Sequence, residues 1–283
     1  MWNFDYSDVS SITSLMQNNS LSMSKKFGQN FLISKPSLEK IVALAGIKPN
    51  DRVWEIGPGL GALTSFMLNT GAAVTAFEID HGFCRILRDE AFSDCDNFHL
   101  IEGDALKNWK KEFETHGCPD VICANLPYNV GSVLIASFIE NRCLPKKMVF
   151  TLQSEVVQRI CSSIGDDEYS GFSILTSIDY ENKQALKIKS SCFWPAPNVD
   201  SSVVVMTKRQ QPLVEEQYAA NFIKLSRLIF SQRRKTVKNN LKATGLSSQA
   251  LDKALSDAGI PATERAEKLT TDQILNLSKI ISV

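Results

Sequence analysis

The spacing of apolar and polar residues along the chain changes once, close to residue 210. Before that point, short apolar runs alternate with stretches in which apolar residues recur at helical spacing. The short runs predict strands over residues 52–56, 73–79, 97–101, 120–124, 148–152 and 201–206. The intervening stretches predict helices over residues 36–45, 60–68, 81–90 and 133–140. Strands that alternate with helices in this way predict an α/β domain whose mostly parallel sheet is covered on both faces.

A polar segment at residues 210–212 separates this pattern from one that predicts helices only, over residues 215–230, 234–243, 248–258 and 271–281. The first 24 residues are rich in Ser, Asn and Met and show no clear periodicity. We therefore predict three parts of the chain. They are a flexible N-terminal tail or a loose first helix over 1–24, an α/β domain over 25–210 and a small all-helical domain over 211–283.

The composition is that of an ordinary globular protein, with 31 basic and 31 acidic residues and a formal net charge of zero. No apolar run is long enough to span a bilayer, and the acidic, polar residues 1–5 differ from a secretory signal, so we expect a cytoplasmic protein. The cysteines lack C-x-x-C pairing and the histidines lack ligand spacing, which argues against a disulfide framework and against a metal site. These residues are Cys84, Cys95, Cys118, Cys123, Cys143, Cys161, Cys192, His81, His99 and His116.

A glycine-rich loop, Glu-Ile-Gly-Pro-Gly-Leu-Gly at residues 55–61, follows the strand predicted over 52–56 and opens a helix. Its glycines let the backbone approach a ligand closely, and Glu78 at the end of the next strand is suited to accept hydrogen bonds from both hydroxyls of a ribose. A tight turn without a ligand is the alternative, which the joint occurrence of the glycines and the carboxylate disfavours. The loop alone does not distinguish NAD from S-adenosylmethionine, because both contain adenosine. Asp104 either accepts from the adenine amine of the cofactor or caps the next helix, and both roles stay open.

The tetrad Asn-Leu-Pro-Tyr at residues 125–128 comes directly after the strand predicted over 120–124, at the sheet edge where α/β proteins bind ligands. Asn125 Oδ1 and the Leu126 carbonyl would accept both hydrogens of an adenine amine, which favours a tetrahedral nitrogen whose lone pair points at a methyl donor. Pro127 biases Leu126 to an extended shape, and Tyr128 offers a ring face for base stacking. No general base is needed before attack, so catalysis would rest on positioning and electrostatics.

A proline-containing turn that merely ends a strand is the alternative explanation of this tetrad. Its position relative to Gly57 and Glu78 disfavours that explanation. A dehydrogenase offers no reason for such a tetrad, so the pattern favours S-adenosylmethionine over NAD as the cofactor.

These motifs, with others along the chain, closely resemble those of the ribosomal RNA adenine dimethyltransferase family, the small-subunit dimethyladenosine transferases. The resemblance runs from about residue 25 to the C-terminus. Its motifs are KFGQNFL at 26–32, EIGPG at 55–59, EID at 78–80, GDA at 103–105, NLPY at 125–128, QSEV at 153–156, FWPAPNVDS at 193–201, QRRK at 232–235 and RAEKL at 265–269. The resemblance implies a Rossmann-like methyltransferase domain over 25–210 and an RNA-binding helical domain over 211–283.

The resemblance also implies roles for individual residues. Tyr128 and Phe193 are expected to flank a target adenine that has been flipped out of its stack, because a stacked amine cannot reach the sulfonium. The implied reaction transfers two methyl groups to each of two adjacent adenines near the 3′ end of small-subunit ribosomal RNA. The residues expected to line the S-adenosylmethionine site are Asn30, Leu32, Gly57, Glu78, Asp104 and Asn125.

A basic stretch between residues 217 and 251 contains seven Lys or Arg residues and no Asp or Glu. Such segregation in a protein of zero net charge is typical of a surface that contacts phosphates, although a solvated helix face is the alternative. The candidate RNA-binding residues are Lys25, Lys26, Arg233, Arg234, Lys235 and Lys238.

The main hypothesis is therefore a monomeric RNA methyltransferase that acts on the assembling small ribosomal subunit, without metal and without a membrane partner. Three alternatives stay open. The first is an antibiotic-resistance type of enzyme that acts on large-subunit RNA, which the motifs at 232–235 and 265–269 disfavour. The second is a non-catalytic assembly or transcription factor on the same fold, which the intact tetrad disfavours. An NAD oxidoreductase is the most remote.

Overall fold

The computed structural model describes residues 1–21 and 30–283 of the protein. Its strands, in chain order, are β1 (Phe31–Leu32), β2 (Arg52–Ile56), β3 (Ala73–Glu78), β4 (Phe98–Glu102), β5 (Val121–Asn125), β6 (Lys147–Gln153), β7 (Tyr180–Ile188), β8 (Phe193–Trp194) and β9 (Ser201–Lys208). Its helices are α1 (Val9–Asn18), α2 (Lys35–Ala45), α3 (Ala62–Leu68), α4 (His81–Ile86), α5 (Ala105–His116), α6 (Gly131–Glu140), α7 (Ser154–Cys161), α8 (Gly171–Ser177), α9 (Glu216–Ile229), α10 (Val237–Leu241), α11 (Ser248–Asp257) and α12 (Thr271–Ile280).

Seven strands of the described residues form one sheet in the order β4-β3-β2-β5-β6-β9-β7. Strand β2 pairs in parallel with β3 on one side and with β5 on the other, and parallel pairing continues outward to β4 and to β6. Strand β9 lies antiparallel to β6. The predicted α/β class with a mostly parallel sheet is thus confirmed. The strand order reverses between β2 and β5, so the loops that follow these two strands diverge and leave a crevice at the sheet edge.

The central strands are continuous apolar runs because both faces of the sheet are covered. In β5, the side chains from Val121 to Ala124 are at most 4% exposed. Parallel strands buried on both faces have this composition, which explains why the apolar pattern located them. Strand β7 instead buries only its end residues, Tyr180 and Ile188, and contains several charged residues between them. The apolar pattern therefore does not predict it, nor does it predict the polar helix α5, in which Trp109 is the buried side chain.

The N-terminal segment contains a ten-residue helix, α1. The Asp8 carboxylate caps it by accepting from the backbone amides of Ser10 and Ser11. Ile12 and Met16, four residues apart on one face, are 1% and 4% exposed and pack in an apolar cluster. The pattern predicts a flexible tail or a loose helix over 1–24, and the described part of that range contains a capped helix with a buried face. Residues 22–24 lie outside the described residues.

The described residues divide into two compact units. The first comprises Met1–Ser137, Cys143–Val157 and Lys183–Lys208. It contains the strands of the seven-stranded sheet, except for the first three residues of β7. The second comprises Phe138–Arg142, Gln158–Asn182 and Arg209–Val283. A division at Lys208 lies close to the boundary predicted near residue 210. The second unit also takes in two internal segments, which a boundary placed from sequence order alone does not include.

Arg142 shows why these internal segments belong to the second unit. Its guanidinium donates to both carboxylate oxygens of Asp179, at 2.6 and 3.0 Å, and also to Glu216. The three residues come from the three segments of the unit, and Asp179 is buried. A bidentate contact of this kind orients its partners more strictly than a single hydrogen bond between the two groups does.

The helices after Lys208 pack within the second unit. Helix α9 buries the face that carries Phe222, Leu225 and Ile229. Asn221 Nδ2 donates to the carbonyls of Ser278 and Ile281, at 2.6 and 2.7 Å, and so ties α9 to the end of α12. Among the helices of the described ranges, none is long and apolar enough to cross a membrane.

We predict that Ile122→Ala destabilises the protein by about 2–5 kcal/mol, because it leaves a cavity at the centre of β5 where Ile122 is fully buried. Ile280→Ala removes the same atoms from a side chain that is 46% exposed, and should cost less than about 0.5 kcal/mol. Chemical denaturation measures both free energies of unfolding. Equal losses for the two variants would contradict the position of β5 at the centre of the sheet.

Candidate active site

A cavity opens where the carboxyl ends of β2, β3, β4 and β5 meet. The residues that line it come from the ends of these strands, from the loops and helices that follow them, from the segment around β1 with the start of α2, and from the N-terminal segment. It is the crevice that the reversal of strand order creates. The cavity brings together all six predicted cofactor-site residues and four of the five predicted catalytic residues, with Asn125 in both sets: Asn30, Leu32, Gly57, Glu78, Asp104, Asn125, Leu126, Pro127 and Tyr128.

The glycine loop after β2 has the backbone that its sequence predicts. Gly57, Gly59 and Gly61 have φ values of +67°, +57° and +86°, a region that other residues rarely adopt. Space is limiting as well. A Cβ atom at Gly59 would lie 2.9 Å from Phe31 Cε1, and one at Gly61 would lie 2.6 Å from Phe92 Cε2. The loop therefore needs glycine both for its conformation and for its close packing.

Glu78 lies at the end of β3 and is 4% exposed. One of its oxygens accepts from the Gly59 amide at 3.0 Å and the other accepts from the Asp80 amide at 2.9 Å. Burial raises the pKa of Glu78 to about 7, although these two amides favour the charged form. The carboxylate thus joins the glycine loop to the end of β3 and ionises near neutral pH.

Glu55 is a second buried carboxyl group, which the motif contains but to which sequence reasoning assigns no role. It is 1% exposed, and Thr64 Oγ1 donates to it at 2.6 Å. Burial, with a smaller contribution from the charge of Glu78, raises the pKa of Glu55 to about 8, although the Thr64 hydroxyl favours the charged form. The sequence signal for this buried carboxyl group is an acidic residue inside an otherwise apolar strand, Val-Trp-Glu-Ile.

Asp104 occupies the start of α5, and its Oδ1 accepts from the Leu106 amide at 2.9 Å. Helix capping, one of the two roles left open by the sequence, is therefore present. Asp104 also lines the cavity. Its contact with the adenine of a cofactor stays a prediction.

Groups from other segments hold the tetrad. Asn125 Nδ2 donates to the Asn30 carbonyl at 3.1 Å, so Oδ1 is the end of this amide that accepts hydrogen bonds. The Leu126 amide donates to the Thr151 carbonyl on β6 at 3.2 Å. Pro127 packs against the glycine loop, since a Cβ atom at Gly57 would lie 3.7 Å from its ring. The tetrad and the glycine loop thus form adjoining walls of one cavity.

Tyr128 is half-buried, and its hydroxyl shares a 2.6 Å hydrogen bond with Ser201 Oγ at the start of β9. Burial raises the pKa of Tyr128, so the phenol stays protonated. This bond fixes the direction of the ring at the cavity wall.

Phe193 is not among the residues that line the cavity, although it packs against Leu32, which is. It is 3% exposed and belongs to an apolar core cluster that includes Leu32, its partner in the short antiparallel pairing of β1 with β8. The sequence does not predict either strand, because each has two residues. A contact between Phe193 and a flipped base stays a prediction.

Comparison with known proteins identifies the family. The sequence model of the family described as "Ribosomal RNA adenine dimethylase" matches residues 20–282. "Ribosomal RNA small subunit methyltransferase A" of Treponema denticola is 41% identical over 282 residues, which cover 98% of this chain and 96% of that protein. The protein of the same name from Streptococcus thermophilus is 38% identical over 279 residues, 96% of each chain. The chain belongs to the ribosomal RNA adenine dimethylase family.

A solved relative supports the same assignment. The crystal structure of a dimethyladenosine transferase from Plasmodium falciparum has a TM-score of 0.70 and 26% identity, and the match covers 86% of this chain and 94% of that one. These findings confirm the resemblance stated from the motifs, the methyltransferase fold with its C-terminal helices, and the enzyme class of an adenine dimethyltransferase.

The basic residues predicted for RNA binding in this family member differ in their surroundings. Arg234 and Lys235 are exposed in the turn before α10. Arg233 is also exposed, donates to the Asp167 carbonyl and lies 3.8 Å from the Glu267 carboxylate. Lys238 is less available, because its side chain is 23% exposed and lies 2.6 Å from Asp252 Oδ1. Lys25 and Lys26, which the sequence also predicts to bind RNA, lie outside the described residues.

We predict that the stability of the empty enzyme falls as the pH rises through the range in which Glu55 titrates. Its pKa is about 8 in the folded protein against 4.5 ordinarily, so the folded state binds more protons between these values. Glu55→Gln keeps an acceptor for Thr64 and cannot ionise. Its free energy of unfolding, measured from about pH 5 to about pH 9, should therefore depend less on pH than that of the wild type.

Glu39→Gln is the matched control, because Glu39 is exposed. It should keep the pH dependence of the wild type. An unchanged pH dependence in Glu55→Gln would show that this carboxyl group does not titrate as its burial requires.

Proposed function

We propose that the protein transfers methyl groups from S-adenosylmethionine to the N6 amines of two adjacent adenosines near the 3′ end of small-subunit ribosomal RNA, during ribosome assembly. One observation carries the proposal. A carboxylate suited to a ribose and an amide suited to an adenine amine line the same cavity, with the glycine loop between them. The names of the two bacterial relatives support the choice of the small subunit. Such a substrate places the reaction in the cytoplasm.

The chain supplies groups that fit an adenosine-containing cofactor. Each Glu78 oxygen, once ionised, has a further lone pair beyond the one bonded to a backbone amide, and so can accept a ribose hydroxyl. Gly57 and Gly59 hold the positive-φ backbone that lets the loop run along the wall of the cavity. When bound, S-adenosylmethionine supplies an electrophilic methyl group on its sulfonium.

The tetrad supplies the acceptor half of the site. Asn125 Oδ1 and the Leu126 carbonyl accept the two amine hydrogens, which draws the nitrogen lone pair out of conjugation with the ring. The Asn30 carbonyl holds the Nδ2 end of the Asn125 amide, and the Thr151 carbonyl holds the backbone N–H of Leu126. Little reorganisation is therefore needed when the base arrives. The Tyr128 ring stacks on the base, and the proton of the methylated amine passes to water.

Two alternative functions would use the same cavity. A large-subunit RNA methyltransferase would differ in its RNA contacts, and the names of the relatives favour the small subunit. A non-catalytic assembly factor would not need Asn125 to hold its amide in one orientation. We infer that the protein is active as a monomer, because the residues proposed for both halves of the site come from one chain.

We predict that the enzyme transfers label from S-adenosylmethionine to adenines of unmethylated small subunits and not to large subunits. Asn125→Ala should lower kcat by about 100-fold or more, because it removes an acceptor that acts at the reacting nitrogen. Tyr128→Ala should lower kcat/KM by about five- to 150-fold through lost stacking, whereas Tyr128→Phe should stay within about five-fold of the wild type.

Asn239→Ala, at an exposed position of α10, is the control for the loss of an amide and should be fully active. Label in large subunits alone would favour the antibiotic-resistance type of enzyme. Cofactor binding without transfer to either particle would disprove the proposed activity.

We predict that the double charge reversal Arg234→Glu and Lys235→Glu weakens binding to the small subunit. The slope of log affinity against log salt concentration should become shallower by about 1.5, since each lost phosphate contact contributes about 0.7–0.9. Filter binding at several salt concentrations measures both effects. Lys110→Glu with Lys111→Glu, on the exposed face of α5, is the matched control and should leave the slope unchanged. An equal effect of both pairs would indicate non-specific attraction instead.

A further inference from the structure

The N-terminal segment, residues 1–21, contributes to the cavity although no predicted site residue lies in it. Tyr6 and Ile12 line the cavity together with the glycine loop and Glu78. All of these residues belong to the first compact unit. The cavity wall on this side therefore comes from a part of the chain that the family motifs do not include.

A directional chain of hydrogen bonds connects this segment to the glycine loop. Trp2 Nε1 lies 2.8 Å from Tyr6 Oη, and an indole nitrogen is a donor only, so the Tyr6 oxygen accepts. Ser65 Oγ donates to the Gly61 carbonyl at 2.9 Å, which uses its one hydrogen. The 3.0 Å bond between Tyr6 Oη and Ser65 Oγ must therefore have Tyr6 as donor. Each group therefore donates to the next one, in the order Trp2, Tyr6, Ser65 and the Gly61 carbonyl.

The surroundings of Tyr6 keep this chain intact at neutral pH. Burial raises the pKa of Tyr6 to about 12, so the phenol keeps the proton that it donates. Glu55, which also lines the cavity, acts in the same direction once it is ionised, above its own pKa of about 8. Tyr6 thus lines the cavity as a protonated phenol, together with Glu55 and the glycine loop.

Apolar packing anchors the rest of the segment. The rings of Trp2 and Phe4 stack with centroids 4.7 Å apart, and Phe4 meets Tyr6 edge to face at 5.2 Å. The Trp2 amide donates to the Ala91 carbonyl at 2.9 Å. Ile12 and Met16 of α1 complete the attachment by packing in a buried cluster with Leu60, Phe83 and Ile86.

We propose that residues 1–21 form a wall of the S-adenosylmethionine site, in which Tyr6 positions the glycine loop through Ser65 and so tightens cofactor binding. This inference rests on the proposed function. Tyr6 is a positioning residue here, because it acts on the loop that surrounds the cofactor. The wall affects binding of the cofactor and leaves the chemistry of the tetrad unchanged.

Calorimetric titration of the full chain with S-adenosylmethionine tests the proposal. Tyr6→Phe and Ser65→Ala should each weaken the affinity by about three- to ten-fold, the effect of losing one hydrogen bond. The double variant should bind no more weakly than the weaker single variant, because both changes break one chain. Removal of residues 2–21 should weaken binding further. In methyl transfer, KM for the cofactor should rise while kcat stays within about two-fold of the wild type.

Tyr218→Phe is the matched control for the loss of a phenol hydroxyl, since Tyr218 lies in the second unit on α9. Its affinity for the cofactor should equal that of the wild type, and thermal melting should stay within about 4 °C for all single variants. Affinities within about two-fold of the wild type for both Tyr6→Phe and Ser65→Ala, or additive losses in the double variant, would overturn the proposal. A wild-type protein that fails to bind S-adenosylmethionine would instead disprove the proposed function.

Discussion

The parallel pairing of β2 with β5 is the constraint on which the rest of the structure depends. In this pairing Val53 faces Val121 and Trp54 faces Ile122, all four of them almost fully buried. Because the two strands run in the same direction, the glycine loop after β2 and the tetrad at the end of β5 emerge at the same edge of the sheet. Strand β3 pairs with the other side of β2 and brings Glu78 to that edge. Segments far apart in the sequence thereby form one cavity.

The same burial that builds the sheet controls the charge of the cavity. A carboxylate loses its hydration when it is buried, which raises the pKa values of Glu55 and Glu78. The two groups differ in the donors that reach them. Two backbone amides stabilise charged Glu78, whereas a single hydroxyl donates to Glu55. Glu78 is therefore the carboxylate that ionises more readily near neutral pH, which suits the proposed acceptance of ribose hydroxyls.

The reactive groups of the tetrad owe their orientation to residues outside it. The Asn30 carbonyl holds Asn125, and Ser201 holds the Tyr128 hydroxyl. The N-terminal segment acts on the glycine loop in a similar way, since its hydrogen bonds end at the Gly61 carbonyl. In each case a hydrogen bond from another segment fixes the direction of a group at the cavity or of the loop beside it. Orientation fixed before a ligand binds is the main way in which a site without a general base accelerates a reaction.

The sequence by itself determined the α/β class, the glycine loop and the tetrad. These features depend on residues close together in the chain, because strands buried on both faces are continuous apolar runs and a turn with positive φ needs glycine. Strand β7 and helix α5 were not predicted, since each buries little of its surface. Only the tertiary structure decided that Phe193 lies in the core, that Lys238 pairs with Asp252 and that Tyr6 lines the cavity. Each of these results depends on a contact between residues distant in the chain, about which local spacing carries no information.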